Sequence, residues 1–275
     1  VSISAIQFQA LADLLKQETA VVIDDGREYL IEARLTQIAF TSGFTTLTEM
    51  IEQVLSDPGS NLSRTVLLAL TTAETSFFRD TAPFEALKSV IIPKILERRG
   101  GSKSLSIWSA GCASGQEVYS LAILLSEHFP DSQTWNTELA GSDINPALLT
   151  QAKAGTYSPI EVKRGLSQDL IGRYFICGRD NYQVKEEIRH RVVFHERNIL
   201  ESWYPFKPDI IMCRNTLIYF DISTRRKILE RFYRILAEHG YLIMGTAESP
   251  RHLHPGFRPA EIQGGNIFVK KQGSS

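Results

Sequence analysis

Apolar positions follow two different rhythms along this chain, and the change comes near residue 80. Before it the spacing is helical. Ile6, Leu11, Leu14 and Leu15 recur at near-helical intervals, as do Tyr29, Leu30, Ala33, Leu35 and Ile38. A polar break, Ser56-Asp57-Pro58-Gly59-Ser60-Asn61, separates further helical stretches. From Leu105 onward, short runs rich in Val and Ile alternate with helical patterns. The runs are 105–109, 139–143, 192–195, 209–213 and 240–244, with helical patterns over 117–129, 146–154 and 223–237. That alternation predicts a parallel sheet with helices on both faces.

Two stretches depart from the alternation. Between residues 154 and 191, Tyr157, Tyr174, Phe175, Tyr182 and Val184 read as short hairpin strands, so a small inserted β subdomain is expected over about 157–191. Near the end, runs 257–262 and 266–270 flank Gln263-Gly264-Gly265. A Gly-Gly turn between two strand-like runs predicts an antiparallel hairpin. The expected organisation is an N-terminal all-helical domain with a linker over 1–80, then an α/β domain over 81–275 that carries the insert and closes on the hairpin.

The densest chemical signal lies at 108–117, Trp-Ser-Ala-Gly-Cys-Ala-Ser-Gly-Gln-Glu. A strand feeds a loop of small residues, which runs into a helix start whose free amides favour polar or anionic groups. The second strand ends at Asp143, where a carboxylate can take both hydroxyls of a ribose. This strand–loop–helix–strand–Asp order points to a nucleoside-bearing cofactor. Asp143 has a second reading, as the cap of the helix after Asn145-Pro146. Glu117 either complements its helix dipole or accepts a cationic ammonium. The linker 71–80, Thr-Thr-Ala-Glu-Thr-Ser-Phe-Phe-Arg-Asp, either packs one domain on another or forms a lid. In the lid reading Phe77 and Phe78 anchor it while Thr75 and Arg79 reach a ligand. Cys213-Arg214-Asn215 and Asn198 each follow a strand, at the sheet edge where open α/β folds bind ligands. Tyr219 is either a core aromatic or a hydroxyl offered to a reacting group.

Other chemistries lack their parts. His190 and His195 have no partner at catalytic spacing, and no G-x-S-x-G elbow occurs. Cys112, Cys177 and Cys213 lack metal-ligand spacing and read as reduced thiols, and no metal site is expected. A net charge of −1 argues against nucleic-acid binding, and no apolar run approaches the length of a membrane span. Residues 1–10 lack the basic and apolar regions of a secretory signal, so a cytoplasmic location is expected. Charge is unevenly shared: residues 1–80 hold five basic and eleven acidic side chains, which leaves −6 there and +5 on the remainder.

Taken together, 71–79, 108–119 with Gly115-Gln116-Glu117, Asp143-Ile144-Asn145, Asn198-Ile199-Leu200, 213–221, Gly240-Tyr241-Leu242 and Thr246-Ala247-Glu248-Ser249 resemble the CheR-type chemotaxis receptor methyltransferases. The ordered match spans nearly the whole chain. The resemblance implies a Rossmann-like, S-adenosylmethionine-dependent methyltransferase domain, an N-terminal helical domain and the β insert. The closing hairpin agrees, being typical of methyltransferase folds and unusual in dehydrogenases. The absence of G-x-G-x-x-G counts against a nicotinamide enzyme.

By the same resemblance the cofactor site comprises Ala73, Thr75, Arg79, Gly111, Glu117, Asp143, Asn198, Ile199, Cys213, Arg214 and Asn215, with Arg79 and Tyr219 nearest the transferred methyl group. Ala73 stands where the family usually has Asn, so one hydrogen bond to the cofactor is missing or supplied elsewhere, worth about 1 kcal/mol. The implied reaction esterifies glutamate side chains of a chemoreceptor for sensory adaptation, leaving S-adenosylhomocysteine. The implied partners are the receptor's cytoplasmic helices and, through the β insert, a receptor C-terminal peptide; a monomer is expected. A non-catalytic adaptor that binds the same cofactor as a signal is the rival reading.

Overall fold

Serine and threonine caps set most of the helices that the N-terminal rhythm predicts. The structure, a computed structural model, describes residues 3–24, 26–71, 73–100, 102–201 and 207–271; Thr72 of the linker motif lies outside them. The chain divides into two units, Val1–Ala73 with Tyr219–Thr224, and Glu74–Ile218 with Arg225–Ser275. The change of apolar rhythm predicts the boundary a little later, after residue 80.

In the first unit, α1 (Ala5–Thr19) starts at Ser4. The Ser4 hydroxyl accepts from Gln7 N–H at 3.2 Å, while Gln7 Oε1 accepts from Ser4 N–H at 3.1 Å. This reciprocal box satisfies two amides that a helix start leaves free. Helix α2 (Glu28–Thr41) has no side-chain cap, whereas α3 (Leu47–Ser56) and α4 (Asn61–Leu70) begin at Thr46 and Ser60. Leu11, Leu15, Ile31, Leu35, Met50 and Ile51 are fully buried between the four helices. The segment Tyr219–Thr224 belongs to this unit. Phe220 forms an antiparallel bridge with Val21, and Val22 N–H donates to the Tyr219 carbonyl at 2.8 Å.

The second unit opens with α5 (Thr81–Ala86), which passes through a π turn at Leu87–Ile91 into α6 (Ile92–Arg98). There follow β1 (Ser104–Ala110), α7 (Gln116–His128), β2 (Asn136–Asp143) and α8 (Pro146–Ala154). The insert holds β3 (Thr156–Tyr157), α9 (Pro159–Lys163), α10 (Gln168–Tyr174), β4 (Phe175–Cys177), β5 (Tyr182–Val184) and α11 (Glu186–Arg189). The chain then runs through β6 (Val192–Glu196), β7 (Ile210–Cys213), α12 (Ile222–Ile235), β8 (Tyr241–Met244), β9 (Phe257–Pro259) and β10 (Asn266–Lys270).

The main sheet has the order β6-β2-β1-β7-β8-β10-β9. Its first five strands are mutually parallel, and β10 runs antiparallel to both β8 and β9. The expected α/β architecture with a closing antiparallel element is therefore present. One strand face is covered by α7, whose Val118, Leu121, Ala122, Ile123 and Leu125 are buried. On the other face Trp108 meets Phe232 of α12 edge-on, ring centroids 5.5 Å apart.

Two local expectations need adjustment. The insert carries a three-stranded antiparallel sheet, β3-β5-β4, but Tyr174 closes helix α10 instead of lying in a strand. Three short helices separate or follow these strands; α9 and α10 start at Ser158 and Ser167, whose side chains accept from backbone N–H. The last hairpin is connected by residues 260–265, longer than a two-residue Gly-Gly turn, because β9 stops at Pro259. Among the described residues no helix is long and apolar enough to cross a membrane.

Candidate functional site

Strands β1 and β2 run in register with Ala110 beside Ser142, so their C-terminal loops leave the sheet together. The Ser142 carbonyl accepts the amides of both Gly111 and Cys112 at 2.9 Å. Asp143 then ties the two loops: its Oδ2 accepts from Ala113 N–H and its Oδ1 from Asn145 N–H, each at 2.9 Å. The cap of α8 is Asn145, whose Oδ1 accepts from Ala147 and Leu148 amides, so Asp143 does not fill that role. A carboxylate has about four acceptor positions, and these amides do not exhaust it. Burial pushes the Asp143 carboxyl above its ordinary pKa, against the opposing pull of the Asn145, Ala113 and Ile144 amides.

Protein packing by itself requires two glycines of the loop. A Cβ on Gly111 (φ +78°) would lie 2.6 Å from Thr216 Oγ1, and one on Gly115 (φ +92°) would lie 2.8 Å from Ala152 Cβ. Gly111 is small because the loop after β7 passes against it. From the insert, Tyr157 O–H donates to the Ser114 carbonyl at 2.7 Å and fixes the loop from behind.

Glu117, in the first turn of α7, accepts from Ser109 Oγ and from Arg214 Nη1, both at 2.8 Å. Arg214 is buried, and its Nη2 also donates to the Arg79 carbonyl at 2.6 Å and to Asp80 Oδ2 at 2.8 Å. Arg79, Glu117 and Arg214 are thus brought together, with Arg214 as the tie between the linker and α7. The Arg79 guanidinium is half-buried and donates to the Glu74 carbonyl at 2.6 Å. Phe77 is fully buried, edge-on to Tyr157 and Phe175 of the insert, while Thr75 is half-buried two residues earlier. Within this unit the linker is pinned by packing at Phe77.

Beyond β7, Cys213 is buried and burial raises its thiol well above the ordinary range; the same holds for Cys112. Neither supplies a thiolate. Asn215 adopts φ +56°, and its Oδ1 is buried without a hydrogen-bond partner. After β6, Asn198 Oδ1 accepts from Leu200 N–H at 2.9 Å, and Asn198 and Ile199 are half-buried. Ala73 and Tyr219 belong to the first unit. Sequence reasoning passed over Ser109, Asp80 and Glu248 as individual site residues. Glu248 stood in a quoted motif, but a single acid after a strand carries no signal of its burial.

The basic residues in and just after α11 are largely spent internally. Arg191 donates to Ser126 Oγ at 2.7 Å and Ser132 Oγ at 2.9 Å, Arg189 reaches the Ala154 carbonyl, and His190 pairs with Glu186.

Residues 73–264 match the family described as CheR methyltransferase, SAM binding domain. The chain belongs to the CheR methyltransferase family. It is 34% identical over 272 residues to the chemotaxis protein methyltransferase Cher2 of Pseudomonas putida, covering 97% of this chain and 98% of the relative. It is 35% identical to chemotaxis protein methyltransferase 1 of Pseudomonas aeruginosa, covering 96% and 97%. A chemotaxis protein methyltransferase of Vibrio anguillarum is 30% identical over 98% and 99% of the two chains. The expected S-adenosylmethionine-dependent methyltransferase is therefore what this CheR-family chain is. Its residues fit the cofactor: Asp143 retains acceptor capacity at the end of β2, and Asn215 holds an orphaned buried amide oxygen after β7.

Proposed function

We propose that this chain methylates glutamate side chains on the cytoplasmic helices of a chemotaxis-type chemoreceptor, and that it does so in the cytoplasm. What supports the reading is the family of the chain, together with the acceptor capacity left on Asp143 at the end of β2 and, separately, the unpartnered Asn215 Oδ1 after β7. Bound S-adenosylmethionine supplies a methyl group activated by its sulfonium. Asp143 would hold the ribose hydroxyls, and Asn198, Ile199 and Asn215 would line the rest of the cofactor site with Gly111 and Thr75. Glu117 and Arg214 would keep the loop and the linker in place through their ion pair.

The acceptor needs little activation. A glutamate carboxylate has a pKa of about 4.3 and is anionic at neutral pH, so no general base is required. What the chain must provide is desolvation and alignment, which can supply several kcal/mol. Arg79 would steer a carboxylate.

The insert would add a second contact, since β4 has an open edge and Ile176 is exposed on it. An extended receptor C-terminal peptide can add a strand there. Incubation with labelled S-adenosylmethionine and a receptor cytoplasmic fragment should give base-labile label on glutamate. Cofactor binding without any base-labile transfer would favour the adaptor reading.

A further inference from the structure

We infer that Glu248 is a positioning residue for the cofactor half of the site, acting through the loop that carries Asn215. The inference deepens the cofactor reading above and rests on it. Glu248 is 4% exposed, yet no salt bridge to it occurs among the described residues. Its carboxylate is met instead by five backbone amides. Oε2 accepts from Gly245 at 2.8 Å and Asn215 at 2.7 Å. Oε1 accepts from Thr216 at 2.9 Å, Leu217 at 2.6 Å and Ile218 at 3.2 Å.

Four of these donors are consecutive, Asn215 to Ile218, so the loop after β7 wraps one acceptor. Successive amides that converge in this way make an anion-binding concavity. Here the chain supplies the anion itself, from the loop after β8. A buried charge is expensive unless fully hydrogen-bonded, and each charged hydrogen bond is stronger than a neutral one. The arrangement therefore fixes the loop far more tightly than a neutral side chain can.

The consequence falls on Asn215. Asn215 sits at φ +56°, a left-handed conformation that Asn tolerates better than most non-glycine residues and that the surrounding hydrogen bonds hold here. Its own amide is one of the five donors to Glu248. The backbone so fixed leaves Asn215 Oδ1 buried and unpartnered, an atom that a hydrogen-bond donor of the cofactor would satisfy. Gly245, the fifth donor, is equally constrained: a Cβ there would lie 2.8 Å from Asn215 N and 2.7 Å from Glu248 Oε2.

The experiment is a double-mutant cycle on the full chain, read as the dissociation constant for S-adenosylhomocysteine and the KM and kcat for methyl transfer. Glu248→Gln presents an NH2 group where an acceptor is needed and should weaken S-adenosylhomocysteine binding at least tenfold. It should also raise KM for S-adenosylmethionine, with KM for the receptor fragment unchanged. Asn215→Ala should weaken binding similarly, and the double variant should bind about as weakly as Asn215→Ala alone, because both changes remove one function. Additive losses, or a Glu248→Gln protein that melts lower but binds normally, would overturn the inference. If Glu248→Gln does not fold, Glu248→Asp, which keeps the charge with a shorter reach, takes its place with the same two outcomes. The primary readout is cofactor affinity, so the identity of the methyl acceptor does not enter it.

Discussion

Arg214 and Glu117 form an ion pair of 2.8 Å in which the arginine side chain is only 2% exposed. The two residues come from different segments at the sheet edge, one in the loop after β7 and one in the first turn of α7. The pair also draws in Asp80 and the Arg79 carbonyl of the linker, so three chain segments meet at one guanidinium. Removing one partner of such a pair leaves an uncompensated buried charge, which costs about 3–5 kcal/mol. Arg214→Met should therefore destabilise the second unit by that amount, and adding Glu117→Gln should recover part of it. The three tryptophans of the chain, at positions 108, 135 and 203, all fall within the sequence span of this unit, so urea denaturation followed by tryptophan fluorescence reports it. An unchanged midpoint for Arg214→Met would contradict the assignment.

The linker makes an equally sharp prediction at a glycine. A Cβ on Gly165 would lie 1.9 Å from the Phe77 carbonyl oxygen, and both groups are backbone. Gly165→Ala should cost at least about 1–3 kcal/mol by overpacking and displace Phe77 from Tyr157 and Phe175. Gly172 in helix α10 is the control, since nothing lies within 4 Å of a Cβ there. Gly172→Ala should be neutral or stabilising by up to about 1 kcal/mol. Thermal melts of the two variants should move in opposite directions or differ plainly in size.

The pH dependence of cofactor binding follows from Asp143. Burial raises its pKa in the unliganded protein. A carboxylate that accepts hydroxyl donors is held ionised, so binding lowers that pKa again. Affinity for S-adenosylhomocysteine should be level where Asp143 is already ionised. It should fall as pH drops through the raised value, by up to about tenfold per pH unit. Without ligand, the raised pKa contributes stability below the unfolded value and loses it as pH rises through the folded one. Calorimetric titrations of wild type and Asp143→Asn across acid to neutral pH isolate this contribution. Parallel pH profiles for the two proteins would remove Asp143 as the ribose ligand.

Arg79 should matter for turnover and little for folding. Among the described residues its guanidinium makes one hydrogen bond, to the Glu74 carbonyl, while its own carbonyl takes part in the tie to Arg214. Arg79→Ala keeps the carbonyl and should lower kcat at least tenfold with the melting temperature nearly unchanged. A folded Arg79→Ala protein with wild-type rates would end that role.

Much of the fold was legible because strands buried on both faces read as short apolar runs. Each of the five parallel strands lies within a residue or a few of the run that predicts it. The rhythm could not say which residues face inward: Ile6 and Tyr29 fit helical spacing and yet are exposed. The insert was legible in its strands but not in its helices, which are too short for periodicity and are signalled mainly by Ser158 and Ser167. Among the candidate site residues, spacing and resemblance point to Asp143 and Asn215, whereas neither points to Glu248 by itself. Its importance comes from five amides that converge in space and leave no local pattern.

The small segment Tyr219–Thr224 has a practical corollary. It pairs with Val21 and Val22 although the chain on either side of it belongs elsewhere, so three peptide junctions join the two halves where a simple tandem protein has one. Truncation after Ala73 would strand these residues on one product and leave an unfilled strand position on the other. Dissection of this enzyme into separately expressed pieces is better done by grafting the segment back than by cutting once.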